Sequence, residues 1–422
     1  MALIVLGISI NFVVSQLQST APVTNATETV DSLSFPDNGL VAFVSEENGN
    51  ADIYTMRANG SGRTNLTHNA AYDGTPFWSP DGKRIAFESD RTGFVQIFVM
   101  NADGSGVFQV TDGETDHKFD NLNPWSPDGS RLLFTEKTPN NDKWLLSSID
   151  VSGQNKTQLT NVPNIYSAPS WSLDGQHVAY IIIERVGNRD MARIHVVDAN
   201  GNGDTNVTNI LPEDEDLYSW NYSWTREGNI LFIAGRVSWE NNNGKFAYYE
   251  AALDGATLAE IAKTSTPLVD YWDGTMFVRG FENTLTWLRP DGTYSEFKPY
   301  EKCQKGIETQ SRSSYSKRSS NGYLLFAAGC PNGDVWLYWS NPKGTTTRPL
   351  FESPVATTEG GLNEIYWSPD GGYAAITISS AGKTSLYIVD IREALKAPLA
   401  LPEPTVLGRN DIAYNIAWQP KP

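Results

Sequence analysis

From residue 40 onward, short runs of alternating apolar and polar residues follow one another, separated by turn-forming residues. The run "FVQIFVMNADGSG" at 94–106 alternates with a period of two and ends in a glycine-rich turn, which predicts a β-strand followed by a hairpin turn. No stretch in residues 40–418 has the spacing of a long amphipathic helix, since "DIREALKA" at 390–397 gives at most one or two turns. The pattern therefore predicts an all-β fold.

One pentapeptide, "WSPDG", begins at Trp78, Trp125 and Trp367, and a relaxed copy, "WSLDG", begins at Trp171. Proline presets the backbone of the turn, aspartate can accept backbone N–H bonds, and glycine takes the left-handed conformation. Tryptophans at equivalent points recur every 46 to 53 residues, with one double step of 95 residues. We expect each indole to fill the wedge between one repeat and the next; the seven are Trp78, Trp125, Trp171, Trp224, Trp272, Trp367 and Trp418.

Each repeat holds four short strands, and four-stranded units of this period are typical of a β-propeller. Residues 40–68 supply the last three strands of a unit and residues 413–420 supply a first strand. We therefore expect the two ends to share one blade and close the ring. The count gives eight blades, or seven if the weak stretch 264–320 folds irregularly. The predicted organisation is an apolar, helical segment at 1–20, a linker at 21–39 and the propeller at 40–422.

The motifs "PFWSPDGKRIAFESDRTG", "IFVMNADGSG" and "VTDG" resemble the TolB-like, WD-repeat-like propellers of bacteria and archaea. The resemblance covers about 380 residues; it is specific in the first three units and the last, and weak across 210–360. The resemblance implies a propeller fold and a function in binding proteins or glycans outside the cytoplasm. It does not imply a reaction.

The chain opens on the apolar run "MALIVLGISINFVV", Met1–Val14, and no Lys or Arg precedes Arg57. As a helix this run would reach about 21 Å, short of a hydrocarbon core of about 30 Å. Three interpretations stay open: a degenerate signal peptide or its remnant, a short membrane anchor, or an apolar terminus through which copies assemble. In the third, the segment resembles type IV pilin-like subunits, and self-assembly would involve Met1–Thr20.

The chain has 422 residues and a net charge of −17, from 32 basic and 49 acidic residues. Because binding to phosphates requires a basic face, this charge argues against a nucleic-acid partner. Asn, Ser, Thr and Gly carry much of the polarity, which is typical of surfaces outside the cytoplasm. We therefore expect protein or glycan partners in the periplasm, at the cell surface or outside the cell. The locally basic segment 298–318 is either a docking site for an acidic partner or a solvated loop.

Two kinds of covalent feature depend on export. Cys303 and Cys330 would pair in an exported protein, which in the chain-entropy model stabilises by roughly 3 kcal/mol; two unrelated thiols are the alternative. Asn-x-Ser/Thr triplets are possible N-glycosylation sites, although they also arise by chance in such a chain. They begin at Asn25, Asn59, Asn65, Asn155, Asn206 and Asn221.

Motifs that carry chemistry are missing from the sequence. The four histidines are isolated and none has a metal-ligand spacing, so we expect no metal site and no cofactor; they are His68, His117, His177 and His195. No G-x-S-x-G nucleophile motif occurs. The sequence therefore predicts no catalytic residue.

Polar side chains lie near five residues before several of the tryptophans, where the inner strands begin. There they could face the axial funnel and hold a cation, an amine or a sugar. The alternative is that they cap the start of each strand by accepting N–H bonds. The candidates are Asp73, Asp120, Tyr166, Asp270 and Asn363.

These observations favour a non-enzymatic module for binding or assembly, displayed from the N-terminal segment, for example as a surface-filament subunit or an adhesin. One alternative is a TolB-like periplasmic adaptor between proteins. Another is a glycosidase or lyase, which would need two funnel carboxylates within about 5–10 Å of each other.

Overall fold

A computed structural model describes most of the chain from residue 39 onward. The described residues are 39–46, 49–119, 123–138, 144–160, 165–186, 189–212, 215–236, 245–264, 268–272, 275–279, 285–289, 293–297, 316–319, 321–329, 335–354, 360–380, 383–399, 405–409 and 416–420. The predicted N-terminal segment, all but the last residue of the predicted linker, and both cysteines lie outside them.

The described strands form eight antiparallel sheets of four strands each. Sheets 1 to 4 contain β1(Leu40–Ser45), β2(Asp52–Arg57), β3(Thr64–Asn65); β4(Asp73–Trp78), β5(Arg84–Ser89), β6(Gln96–Asn101), β7(Phe108–Gln109); β8(His117–Lys118), β9(Arg131–Lys137), β10(Trp144–Asp150), β11(Thr157–Gln158); and β12(Ile165–Trp171), β13(His177–Val186), β14(Arg189–Asp198), β15(Thr205–Asn206).

Sheets 5 to 8 contain β16(Asp216–Trp224), β17(Ile230–Arg236), β18(Lys245–Ala251), β19(Leu258–Thr264); β20(Leu268–Trp272), β21(Thr275–Arg279), β22(Leu285–Leu288), β23(Tyr294–Phe297); β24(Ser316–Arg318), β25(Leu324–Gly329), β26(Val335–Ser340), β27(Thr347–Pro349); and β28(Gly360–Trp367), β29(Tyr373–Ser380), β30(Lys383–Asp390), β31(Thr405–Arg409). The last strand, β32(Ile416–Trp418), completes sheet 1. Within the described residues the one helix is a single turn, α1(Ile391–Ala394), capped by Asp390. The predicted all-β class is confirmed.

The two ends of the propeller meet in sheet 1. Strand β32 pairs antiparallel with β1, placing Trp418 opposite Val41 and Ile416 opposite Phe43. The backbone N–H of Gln419 then donates to the carbonyl of Leu40 at 2.9 Å. The strand order β32-β1-β2-β3 therefore closes the ring in the way the unfinished ends of the sequence predict.

Hydrophobic clusters fill the junctions between successive sheets. They join sheet 1 to 2, 2 to 3, 3 to 4, 4 to 5, 6 to 7, 7 to 8, and 8 back to 1. Among the described side chains, no cluster spans sheets 5 and 6. At these seven junctions neighbouring sheets are thus held by apolar contacts, which is how a propeller buries both faces of a meander.

The repeat tryptophans lie in these junctions, each packed on the preceding sheet. Trp125, for example, packs with residues of sheet 2 and donates from Nε1 to the carbonyl of Phe77 at 3.0 Å. Four other repeat tryptophans also donate from Nε1 to the residue just before the preceding repeat tryptophan. The pairs are Trp78 with Ala417 O, Trp171 with Pro124 O, Trp224 with Ser170 Oγ, and Trp418 with Tyr366 O. These five indoles therefore both fill a wedge and link their sheet to the one before it. The side chain of Trp272 lies outside the described residues.

The repeated pentapeptides form turns that pack on each other around one end of the ring. In the first copy Ser79 donates to Asp81 at 2.6 Å and accepts from the N–H of Arg84 at 3.0 Å. Gly82 has φ +66°, which favours glycine. A Cβ atom on Gly129 would lie 3.4 Å from Pro80, and one on Gly175 would lie 3.5 Å from Pro127. The serine hydrogen bond lowers the pKa of Asp81, and likewise of Asp128 and Asp174, so these carboxylates serve their own turns.

Candidate functional site

The candidate site is the end of the ring where the inner strands begin. In each sheet we take the second-strand residue that pairs with the repeat tryptophan and count four residues further along that strand. The first-strand residue that pairs with this fourth residue is called the mouth residue. In sheet 2 Trp78 pairs with Ile85, so the mouth residue is Asp73, the partner of Ser89. The same rule in sheets 3, 4, 5 and 8 gives His117, Ile165, Leu217 and Leu362. Only sheets 2 and 3 of these five carry an ionisable group there.

The described candidate residues do not share this position. Asp73 occupies it, but Tyr166 and Asn363 each lie one residue further along their strands, and Asp270 pairs with Phe277, well inside the sheet. Register shifts in the inner strands are the reason, because each bulge changes the offset from the tryptophan. The expected equivalence of Asp73 and Tyr166 is therefore wrong, while Asp120 lies outside the described residues. Ligand binding by these residues stays a prediction.

Asp73 is fully buried and already paired. Its Oδ1 accepts from Arg91 Nη2 at 2.7 Å, and its Oδ2 accepts from the side-chain amide of Asn69. The Arg91 guanidinium also lies over the ring of Phe98, 4.7 Å from its centroid. A buried carboxylate must be paired in this way to offset its lost hydration. Asp73 thus fixes the start of β4 through side-chain partners. Asn363, in contrast, is exposed and donates to Ser379 Oγ at 2.6 Å.

Glu88 is a second buried carboxylate, which the sequence did not single out. Its Oε1 accepts from the backbone N–H of Phe119 in the next sheet, and its Oε2 accepts from Thr75 Oγ1 at 3.1 Å. Thr75 has φ +53°, which is strained for a β-branched residue. Burial, and next the charge of Glu88, raise the pKa of Tyr72 nearby. The sequence does contain a signal for this site. The second strand of sheet 2, "IAFES", has Glu88 at the position where sheets 3 and 8 have Thr135 and Thr377.

His117 begins a second charged cluster, in sheet 3. Its Nε2 lies 3.8 Å from Glu136 Oε2, and Glu136 also accepts from Ser147 Oγ at 2.7 Å and from Lys156 Nζ. Burial alone would raise the pKa of Glu136. The hydrogen bonds from His117, Lys156 and Ser147 outweigh burial and lower the pKa to about 2.

We expect Glu136→Gln to lower the free energy of unfolding at pH 7 by about 2 kcal/mol, a value reduced for partial exposure. The depressed pKa means that Glu136 stabilises the fold above the unfolded pKa near 4.5, and that this contribution disappears as pH falls towards 2. Urea unfolding at pH 7 and at pH 3 measures it. The variant should lose less stability than the wild type between these pH values. Equal losses would contradict the assignment.

Two of the Asn-x-Thr triplets belong to the fold itself. Thr67 and Thr208 each accept the backbone N–H of a third-strand residue, as do Thr111 and Thr160, which follow glutamines in place of asparagine. The amide of Asn65 donates to Asp52 and that of Asn206 to Glu184. The triplets at Asn65 and Asn206 are therefore explained by the repeat.

The remaining triplets differ in exposure. Asn59 and Asn155 are exposed near hairpin turns, where Asn59 Oδ1 accepts from Ser61 and Asn155 Nδ2 donates to Asp150. Asn25 lies outside the described residues, and of Asn221 only the backbone, in β16, is described. Glycosylation stays a prediction at all six triplets.

Among the residues that the structure describes, no group of three or more His, Cys, Asp or Glu side chains converges as metal ligands would. Nor is any helix in this part of the chain long and apolar enough to span a membrane. The pairing of Cys303 with Cys330 stays a prediction, because both lie outside the described residues.

The interlocking four-stranded sheets and the closing strand define the class of this protein, a closed β-propeller. Residues 9–210 match the family model described as the TolB beta propeller domain. The resemblance to TolB-like β-propellers that the repeats predict is thereby confirmed over these residues. The comparison with curated proteins gave no match.

Solved structures share the fold at low identity. Dipeptidyl peptidase 4 of Porphyromonas gingivalis is 10% identical with a TM-score of 0.57, and the match covers 88% of this chain and 58% of that one. A eukaryotic initiation factor is 12% identical with a TM-score of 0.54, covering 92% and 100%. TolB of Acinetobacter baumannii is 14% identical with a TM-score of 0.41, covering 91% and 67%. Since these neighbours include a peptidase and an initiation factor, the fold alone does not decide whether the chain is an enzyme.

Proposed function

We propose that this chain is a non-enzymatic protein-interaction module that works outside the cytoplasm, a TolB-like adaptor in the broad sense. The observation that carries the proposal is the state of the charged mouth residues. Asp73 pairs with Arg91, and His117 faces Glu136, which also pairs with Lys156. Side chains that already pair with each other to hold the strands are poorly suited to general acid–base catalysis, because that catalysis needs a titratable group facing the substrate. The match to the TolB propeller family also supports this proposal.

The surface we propose for binding is the mouth side of sheet 2, beside Phe94. This ring is 42% exposed. It lies next to the loop that leads into sheet 3, because the N–H of Val95 donates to Asp116 at 3.0 Å and the carbonyl of Val95 accepts from His117. That loop, "DGETDH" at 112–117, is acidic. An exposed aromatic with an acidic rim fits a protein partner that offers an apolar side chain flanked by basic residues.

We expect Phe94→Ala to lower capture of that partner about tenfold, since a central aromatic anchor contributes roughly 1–3 kcal/mol to an interface. The measurement is a pulldown from cell-envelope extract of the native source, with the purified chain as bait. Phe108→Ala is the matched control, because Phe108 is 48% exposed on the outer strand β7, away from the mouth. Equal losses in both variants, or no captured protein at all, would contradict the proposed function.

We further propose that Met1–Thr20 attaches or assembles the propeller, as in a surface filament or an adhesin. The apolar composition of this segment supports the proposal. Sedimentation and electron microscopy of the full chain, compared with a chain that starts at residue 39, would test it. The full chain should form assemblies or float with membranes, and the shortened chain should be monomeric.

For the ring itself we propose eight blades, one for each described sheet. The clusters that join sheet 6 to 7, 7 to 8 and 8 to 1 support this number. A ring of seven, the sequence-based alternative, would leave one of the eight sheets outside the circle. Averaged top views in the electron microscope count the blades and distinguish the two.

A further inference from the structure

Sheets 1 and 3 each place a cation over a pair of facing side chains on their second and third strands. In sheet 1 the Arg63 guanidinium lies 5.3 Å from the centroid of Phe43 and 5.0 Å from that of Tyr54. In sheet 3 the Lys156 ammonium lies 5.9 Å from the centroid of Phe134. Both cations directly precede the first residue of the fourth strand. This position therefore supplies a positive charge to the inter-blade groove.

Sheet 4 reverses this arrangement. The residue that precedes its fourth strand is Asp204, and the facing pair is Tyr180 with His195, whose ring centroids are 5.6 Å apart. The carboxylate of Asp204 thus stands where Arg63 stands in sheet 1 and Lys156 stands in sheet 3. A histidine replaces the aromatic or serine residue opposite it. The charge pattern is kept if the imidazole is the cation.

The two hydrogen bonds of the His195 ring also require a positively charged imidazole. His195 Nε2 lies 3.0 Å from Glu184 Oε1, and Nδ1 lies 3.1 Å from Asp204 Oδ1. A neutral imidazole has one N–H and one lone pair, so it can satisfy only one of two carboxylates. The imidazolium donates to both, and charge-assisted bonds of this kind are about twice as strong as neutral ones.

Other polar and charged groups lie on the strands of sheet 4 around His195. On β13 the facing groups are Glu184 and the Tyr180 hydroxyl, which donates to Asp204 Oδ1 at 2.7 Å. On β15 the Asn206 amide donates to Glu184 Oε2 at 3.2 Å. On β14 itself Arg193 is paired with Asp216 at 3.5 Å. The hydrophobic cluster of this junction takes Leu133, Leu146 and Leu159 from sheet 3. Arg131, two residues before Leu133 on β9, shares its face of the strand and lies 3.7 Å from Asp150.

We propose that His195 is held as an imidazolium between Glu184 and Asp204, and that this proton forms a pH-sensitive latch fastening the fourth strand of sheet 4. The latch joins β13, β14 and the residue before β15 through one side chain that is 10% exposed. Hydrogen bonds from His195 and Tyr180, acting against burial, lower the pKa of Asp204, which keeps that partner ionised. When the imidazolium of His195 loses one proton, a lone pair of the ring faces one of the two carboxylates in place of an N–H. That hydrogen bond is lost, and β15 is released.

Ring-nitrogen NMR of the histidine-labelled full chain at pH 7.5 tests the latch directly. We expect both ring nitrogens of His195 to carry a proton. A spectrum in which His195 carries a single N–H would overturn the proposal.

Unfolding in urea at pH 5.5 and 8.5 gives an independent test. The unfolding equilibrium constant of the wild type should rise about tenfold more than that of His195→Phe between these pH values. His177→Gln is the matched control, since the His177 side chain is more exposed and lies 3.5 Å from Asp198; it should respond like the wild type. Equal responses in wild type and His195→Phe would contradict the latch. If His195→Phe fails to fold, the pair Glu184→Gln and Asp204→Asn replaces it, and each must reduce the pH response.

Discussion

Deleting residues 416–422 is expected to abolish cooperative folding, the largest effect among the changes considered. The deletion removes β32, the inner strand of sheet 1, and leaves the apolar strand β1 as an open edge. It also removes Ala417 O, the acceptor for Trp78, and Trp418, whose Nε1 donates to Tyr366 O at 3.0 Å. Two inter-blade junctions fail together, at a cost comparable with the roughly 5–15 kcal/mol that stabilises a typical domain.

Circular dichroism during thermal unfolding measures the result, and we expect a broad transition with no midpoint in place of a cooperative one. A shorter deletion, of residues 421 and 422 only, is the control, because it keeps Gln419 and its bonds to Leu40. It should unfold like the full chain. A cooperative, unshifted transition in the longer deletion would show that the closing strand is dispensable.

The closure could be predicted from sequence because strand-forming patterns and unpaired chain ends are local facts. Residues 40–68 hold three strands of a unit and residues 413–420 hold one. An unpaired sheet edge is stabilised when another strand pairs with it, so the C-terminal strand was expected to pair with the N-terminal three. The repeat tryptophans were equally readable, since an aromatic at a constant spacing in a meander has one place to be buried.

The mouth of the ring could not be predicted in the same way. The inner strands contain register shifts, such as the one between Gly74 and Phe77, and a bulge leaves no fixed mark in the sequence. Counting back five residues from Trp171 therefore named Tyr166, where the structure places Ile165. Partners were equally hidden, because Arg91 reaches Asp73 from across a hairpin. The pairing of His117 with Glu136 depends on the register of β8.

The glycosylation triplets show how a repeat can imitate a modification motif. In "TNLT" and "TNVT" the threonine caps a third-strand N–H, and "FQVT" and "TQLT" do the same with glutamine. Aligning the four segments by repeat, before searching for motifs, would have separated Asn65 and Asn206 from the exposed Asn59 and Asn155.

Replacing Trp125 by alanine is expected to lower the free energy of unfolding by about 3–5 kcal/mol, the cost of truncating a buried aromatic. Trp125 is 3% exposed and packs against Ala86 and Ile97 of sheet 2. Its ring also lies beneath the Arg84 guanidinium, 5.1 Å from the centroid. The loss therefore falls on the junction between sheets 2 and 3, where the cavity cannot collapse without moving a whole sheet.

Trp125→Phe separates packing from the hydrogen bond that joins the blades. Phenylalanine keeps most of the apolar volume but loses the donor to Phe77 O, so we expect a loss of about 1–2 kcal/mol. Trp144→Ala is the control for removing an indole, since Trp144 is half-buried at the start of β10, and it should cost about 1 kcal/mol or less. Urea unfolding followed by circular dichroism measures all three variants. If Trp125→Ala cost no more than Trp144→Ala, the tryptophans would not be the wedges that hold the blades together, and the recurrence of "WSPDG" would need another cause.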